Sequence, residues 1–303
     1  MEDITTQAAK MAFLMRIACK TGDDKRDSGL LTPDTIQRND NIRYDKRDKL
    51  QILDVYRPKA SINKNTKLPV IVNIHGGGWV YGTKETYQFY CMSLSELGFA
   101  VVNFSYRLAP EYKYPAQIED IDSVFKWIYA KKEEYNFDEK NVFAVGDSAG
   151  AHLLSVYCCL LTNENYALSI KFSLQKNIIP NAIALNCGCY RLYKDGQEKQ
   201  DDNLLLYCLL DNVNDQARRL ISPDYFINEK FPPTFIMSCY GDFLIGDYNY
   251  MKDLLEKKGI KVEGKFYGTE KEPLFHVFHC DIRNTVGKLC NKEETDFFKQ
   301  NLK

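Results

Sequence analysis

The apolar positions of this chain fall into two alternating patterns. Unbroken runs of strand length appear as LPVIVNIH (68–75), FAVVNFSY (99–106) and NVFAVGDS (141–148). Between them lie segments with helical spacing: YQFYCMSLSELG, stopped by Gly98, then QIEDIDSVFKWIYAKKEEY with Ile118, Ile121, Val124 and Ile128 on one face, then AHLLSVYCCLL. Strands without internal polar alternation, separated by helices, predict a parallel sheet covered on both faces. Ahead of them, IRYDKRDKLQILDVYRP (42–58) alternates apolar and polar positions and predicts an antiparallel pair. Residues 1 to about 35 read as a short amphipathic helix and a polar loop ending at Pro33.

The alternation breaks after NAIALNCGCY (181–190), in which Cys187 and Cys189 alternate as in a strand. Residues 191–228 are polar except for NLLLYCLL, and the pattern then resumes with PPTFIMSCYGD, helix YNYMKDLLEKKG, strand KVEGKFYG and a final helix ETDFFKQNLK. An excursion between two strands of a regular α/β domain predicts a cap over the carboxyl edge of the sheet, where ligands bind. The expected organisation is one domain over 1–303, with cap elements from 1–40 and 191–228.

Composition narrows the function. The 303 residues carry 40 Lys+Arg against 41 Asp+Glu, a net charge of −1, so no global field attracts nucleic acid or an anionic membrane. Ten cysteines without a C-x-x-C pair disfavour zinc-ribbon and thioredoxin readings and fit scattered core thiols in a reducing compartment. The chain starts Met1-Glu2-Asp3 without a basic leader, and MAFLMRIAC is interrupted by Arg16 and too short to span a bilayer. A cytoplasmic protein is expected.

Two motifs carry chemistry. GDSAG (146–150) fits G-x-S-x-G and sits between a predicted strand and a predicted helix, where the serine occupies a sharp turn and the glycines let the backbones pass. HGGGW (75–79) spends three glycines after a buried strand. A serine attacking a carbonyl creates an oxyanion, which needs preorganised donors; Gly77 and Gly78 can supply backbone N–H groups beside that of Ala149. A phosphate-gripping loop is the weaker reading, since no Lys-[Ser/Thr] follows.

Together, HGGGW, YRLAPE (106–111), YPAQIED (114–120) and GDSAG resemble the hormone-sensitive lipase-like family of α/β-hydrolases, which includes bacterial carboxylesterases and acetyl esterases. The likeness runs from about residue 50 to the end. It implies an α/β-hydrolase fold with a mostly parallel sheet and a small helical cap, the serine following the fifth strand, the acid the seventh and the histidine the eighth. Carried over, Ser148 is the nucleophile, Asp242 the acid and His276 the base, with Gly77, Gly78 and Ala149 as the oxyanion hole. The order Ser, Asp, His suits the fold. Two positions depart from the family: Gly246 stands where a second acid of D-x-L-x-D is expected, with Asp247 one further on, and Ala151 replaces a common glycine.

The remaining candidates receive structural roles. His75 is expected to brace the glycine loop, His152 to pack in the nucleophile helix, and Arg107 and Glu111 to hold a loop under the oxyanion strand. NLLLYCLL is read as the roof of a site in preference to a membrane-touching lid. A metal site from His276, His279 and Cys280 lacks a second ligand cluster, so neither a metal nor an organic cofactor is expected. The implied function is a serine carboxylesterase acting on small-molecule esters of short to medium acyl chain. Two rivals stand beside it: an amidase such as an aryl formamidase, and a non-catalytic receptor of the gibberellin-receptor kind, against which the presence of His276 argues. Oligomeric state is not encoded in any of these features.

Overall fold

The computed structural model describes residues 2–62, 67–170, 173–174, 176–196 and 203–303. Residues 197–202 of the expected 191–228 cap segment, and Met1 of the expected 1–40 segment, lie outside the described residues.

The elements run α1 (Ile4–Asp27), β1 (Ile36–Arg43), β2 (Ile52–Pro58), α2 (Lys59–Ile62), β3 (Leu68–Ile74), α3 (Gln88–Glu96), β4 (Ala100–Phe104), α4 (Ala116–Lys131), β5 (Phe137–Asp147) and α5 (Ala149–Thr162). They continue with α6 (Glu164–Ala167), β6 (Ile183–Asn186), α7 (Leu204–Leu209), α8 (Asp215–Leu220), β7 (Thr234–Cys239), α9 (Ile245–Lys257), β8 (Val262–Tyr267) and α10 (Thr285–Lys299). One eight-stranded sheet results, in the order β1-β2-β4-β3-β5-β6-β7-β8. β2 is antiparallel to both neighbours, and every pairing from β4 through β3 to β8 is parallel. This is the mostly parallel, helix-covered sheet that the apolar runs and intervening helices predict, and the α/β-hydrolase fold that the family resemblance implies.

The inner strands β3, β4, β6 and β7 and the second half of β5 have no solvent-exposed face because both faces are covered. Val142 and Ala144 of β5 join one core with Ile118, Ile121 and Phe125 of α4, Leu153 and Leu154 of α5, and Met251 and Leu255 of α9. Phe143 and Val145 point the other way, into a second core with Tyr90 and Leu94 of α3 and Phe297 and Phe298 of α10. Alternate residues of one continuous apolar run therefore serve two cores.

Two expectations are corrected. The strand expected through NAIALNCGCY ends at Asn186, and Cys187 adopts φ 47°, which breaks the extended backbone. Cys187 and Cys189 thus belong to the loop beyond the sheet. The first helix is also longer than the apolar pattern alone indicates, at 24 residues. Its polar second half is held by the Lys20–Asp24 pair and by Arg26 bonding Asp23, three residues earlier, while Asp3 accepts from the N–H groups of Thr5 and Thr6 at the start.

α1 buries Ala8 and Ala12, and the Cys208 thiol of α7 reaches the Ala8 carbonyl at 3.3 Å. Farther along, Arg16 bonds both carboxylate oxygens of Glu111 and the carbonyls of Val80 and Ala109. Arg107 makes a buried, forked contact with Asp120 and also bonds Glu119. The YRLAPE segment is therefore pinned from below by Arg107, and Glu111 ties it to α1.

Candidate active site

Ser148 stands between β5 and α5 with φ 53° and ψ −118°, a conformation that a residue with a Cβ adopts only at a cost of order 1–3 kcal/mol. The turn is held from both sides: the Ser148 N–H donates to the Asn186 carbonyl at 2.9 Å, and the Ser148 carbonyl accepts from the His152 N–H at 3.1 Å. Its tightness explains Gly150, where a Cβ would lie 2.0 Å from the Ile74 carbonyl oxygen. The helix start can press against the end of β3 only with no side chain there.

The glycine loop leaves β3 beside this turn. Gly77 has φ 111°, and a Cβ would fall 2.2 Å from the Tyr81 carbonyl oxygen, so its carbonyl can close a tight turn by accepting from Val80 and Tyr81. The N–H groups of Gly77, Gly78 and Ala149 donate to no acceptor among the described residues. All three residues line the same cavity as Ser148.

Asp242 follows β7 and His276 follows β8, and the chain between them is drawn together where the Gly241 N–H donates to the Leu274 carbonyl at 3.0 Å. His276 Nδ1 lies 2.7 Å from Asp242 Oδ1. Asp242 also accepts from the Leu244 N–H at 3.0 Å and the Ser238 hydroxyl at 2.7 Å. These donors and the imidazole outweigh its burial and hold its carboxyl below the usual range. His276 lines the cavity with Ser148, its ring packed against Phe243 at 4.4 Å between centroids. The cavity measures about 410 Å³; Met15 and Cys19 of α1, and Leu205 of α7, form part of its wall.

All six sequence-derived site residues therefore meet in one place, and the other histidines do not. His75 is buried, bonds the Gly76 carbonyl through Nδ1 at 2.8 Å and stacks on Tyr106 at 4.0 Å, and burial pushes its pKa down to about 4. His152 accepts from Trp79 Nε1 at 3.1 Å and donates from Nε2 to the Ile221 carbonyl at 2.6 Å, so it links the HGGGW loop to the 191–228 excursion. His279 is fully buried against the edge of Tyr90, and burial is the main cause that lowers its pKa to about 3. Its near ligand-type neighbours are Asp147 and Cys280, whereas His276 groups with Asp242 and Cys187, so the trio His276, His279 and Cys280 is divided between two places. Asp247, displaced by one position from the family pattern, accepts from the N–H groups of Tyr190 and Arg191 and pairs with the Arg191 side chain.

Sequence reading missed a second layer. Tyr87 donates to Asp147 Oδ2 at 2.6 Å and accepts from the Gly76 N–H at 3.1 Å. Burial pushes Asp147 up to about 7, with Tyr87 opposing. Asp147 was visible as the variable residue of GDSAG; nothing in the sequence marks Tyr87.

Comparison with known proteins decides the family. Residues 53–255 match the BD-FAE family. The chain belongs to that family. Versiconal hemiacetal acetate esterase of Dothistroma septosporum is 28% identical over 222 residues, covering 66% of this chain and 64% of the relative. An α/β hydrolase of Acanthamoeba polyphaga mimivirus is 31% identical over 143 residues, 47% of this chain and 40% of the relative. The chain thus spans less than two thirds of the length of these curated relatives. Esterase B of Lactobacillus rhamnosis superposes with a TM-score of 0.85 at 23% identity, over 98% of this chain and 96% of that one, which shows the shared fold. The described residues of this BD-FAE chain form one eight-stranded sheet, and no described helix is long and apolar enough to cross a membrane.

Proposed function

We propose that this BD-FAE member is a serine carboxylesterase that cleaves small-molecule esters of short to medium acyl chain through an acyl-enzyme. The observation that carries the reading is the meeting, in one cavity, of a serine on a strained turn, an imidazole bonded to a buried carboxylate, and three unspent backbone N–H groups.

His276 takes the Ser148 proton as Oγ attacks the ester carbonyl, and Asp242 fixes the Nδ1–H tautomer and stabilises the imidazolium. The N–H groups of Gly77, Gly78 and Ala149 receive the oxyanion. On collapse the imidazolium returns its proton to the departing alkoxide, and water activated by the same base releases the acid. In this reading α1 and the 191–228 excursion act as a cap on a single catalytic domain, and the bounded cavity limits acyl length to about C2–C8. Its cysteines are thiols, eight of ten buried, which supports assignment to the reducing cytoplasm.

A series of p-nitrophenyl esters from acetate upward, with matching anilides and an emulsified long-chain triglyceride, tests the proposal. The highest kcat/KM is expected on a soluble ester of C2–C8. Faster cleavage of the anilides would shift the reading to an amidase, and faster turnover of the emulsion would overturn the chain-length limit.

A further inference from the structure

The second half of α1 gives one side of the cavity a different character from the rest. Met15, Cys19, Gly22, Asp23 and Arg26 face it at helical spacing, so an apolar stretch gives way to a charged one along a single helix face. Asp23 and Arg26 carry opposite charges there, but Arg26 is shared with Asp27, which lies outside the lining. Arg26 is engaged with Asp27 through Nε and Nη2, both at 2.8 Å, and gives Nη1 to Asp23 Oδ1 at 2.8 Å. Two carboxylates therefore share one guanidinium. Tyr81 donates to Asp23 Oδ2 at 2.8 Å, and each Asp23 oxygen keeps room for one more donor. The Asp23 side chain is 24% exposed.

We propose that Asp23 makes this wall a recognition site for a cationic group, so that the preferred esters carry an ammonium in their acyl or alcohol part. The substrate assignment rests on the esterase reading, whereas the binding of a cation does not. An alkyl chain against this wall leaves a partly desolvated carboxylate with nothing in return, and an anion meets a net negative charge. A cation adds the counter-charge that Arg26 divides with Asp27, at a partly buried carboxylate where it is worth more than at the open surface. Burial drives Asp23 towards its protonated form against Arg26 and Tyr81, and a bound ammonium tips that contest towards the carboxylate.

Two isosteric pairs separate the acyl and alcohol placements. Choline butyrate is compared with 3,3-dimethylbutyl butyrate, and p-nitrophenyl 4-(trimethylammonio)butanoate with p-nitrophenyl 5,5-dimethylhexanoate. In at least one pair the cationic ester should show a kcat/KM about tenfold higher, and Asp23→Asn should bring that ratio towards one. Choline binding to the Ser148→Ala protein, measured by calorimetry, reads the site without turnover and should weaken at least fivefold in the added Asp23→Asn variant. Equal or better use of the neutral member in both pairs, or a ratio untouched by Asp23→Asn, overturns the proposal. If no ester is cleaved, the esterase reading fails, and choline binding alone decides: loss with Asp23→Asn sustains the site, and no binding overturns it.

Discussion

The Tyr87 hydroxyl bridges Asp147, the residue before the candidate nucleophile, and the N–H of Gly76, the first glycine of the candidate oxyanion loop. One phenol thus ties the serine turn to the glycine loop that carries the candidate donors. Tyr87→Phe removes both bonds while keeping the ring. Removing an oxyanion donor costs about 10²–10³ in kcat, and displacing one should cost less, about tenfold, with KM little changed. A purely structural role would lower Tm and leave kcat per folded molecule intact.

Ser148→Ala should lower ester hydrolysis by about 10⁴–10⁶, as for loss of a triad nucleophile, with far-UV circular dichroism unchanged. A tenth of wild-type turnover in clean protein would remove Ser148 from the role.

The two histidines after β8 separate cleanly. His276→Ala should cost at least ~10³ in kcat, because it takes away the only imidazole among the described residues that line the cavity. His279→Ala should keep most activity but lose stability, since a ring fully buried beside Tyr90 leaves a void. Inactivity of a folded His279 variant alongside an active His276 variant would reverse the assignment.

Stability should fall as pH rises from about 4.5 to 7. Burial pushes Glu294 and Asp147 each up to about 7. A carboxyl with a raised folded pKa binds a proton in the native state that the unfolded chain has released. Its contribution is complete below the unfolded pKa and is lost as pH rises through the folded one. Glu294→Gln, which can still bond Asn186 and Tyr90, should flatten part of that slope in urea melts. Asp242, held below its usual range, works in the opposite sense and in a lower window, losing its contribution as pH falls through its depressed folded pKa. An unchanged slope in Glu294→Gln would show that this group does not titrate with folding.

The parallel strands and their helices were legible because burial on both faces writes continuous apolar runs. Ser148 and the glycines were legible because tight turns restrict residue type: no side chain fits at Gly150, for example. His276 and Asp242 needed the family likeness, since lone histidines and aspartates carry no local pattern. The early end of β6 was hidden because apolar residues continue past Asn186 into a loop that is also buried. The Tyr87 bridge and the Asp23–Arg26 wall were not legible, because each joins residues whose meeting is set by tertiary packing.

α1 is tethered by Val80, Tyr81 and Thr86 and, farther along the chain, by Glu111, Cys208 and Arg283, the last of which bonds the carbonyls of Arg26 and Ser28. A ribosome emits the helix before any of them. The contacts to residues 80–86 can form early, but the last tether of α1 forms only once the segment around Arg283 has emerged. The candidate site is thus expected to be completed late in biosynthesis, after most of the described fold has left the ribosome.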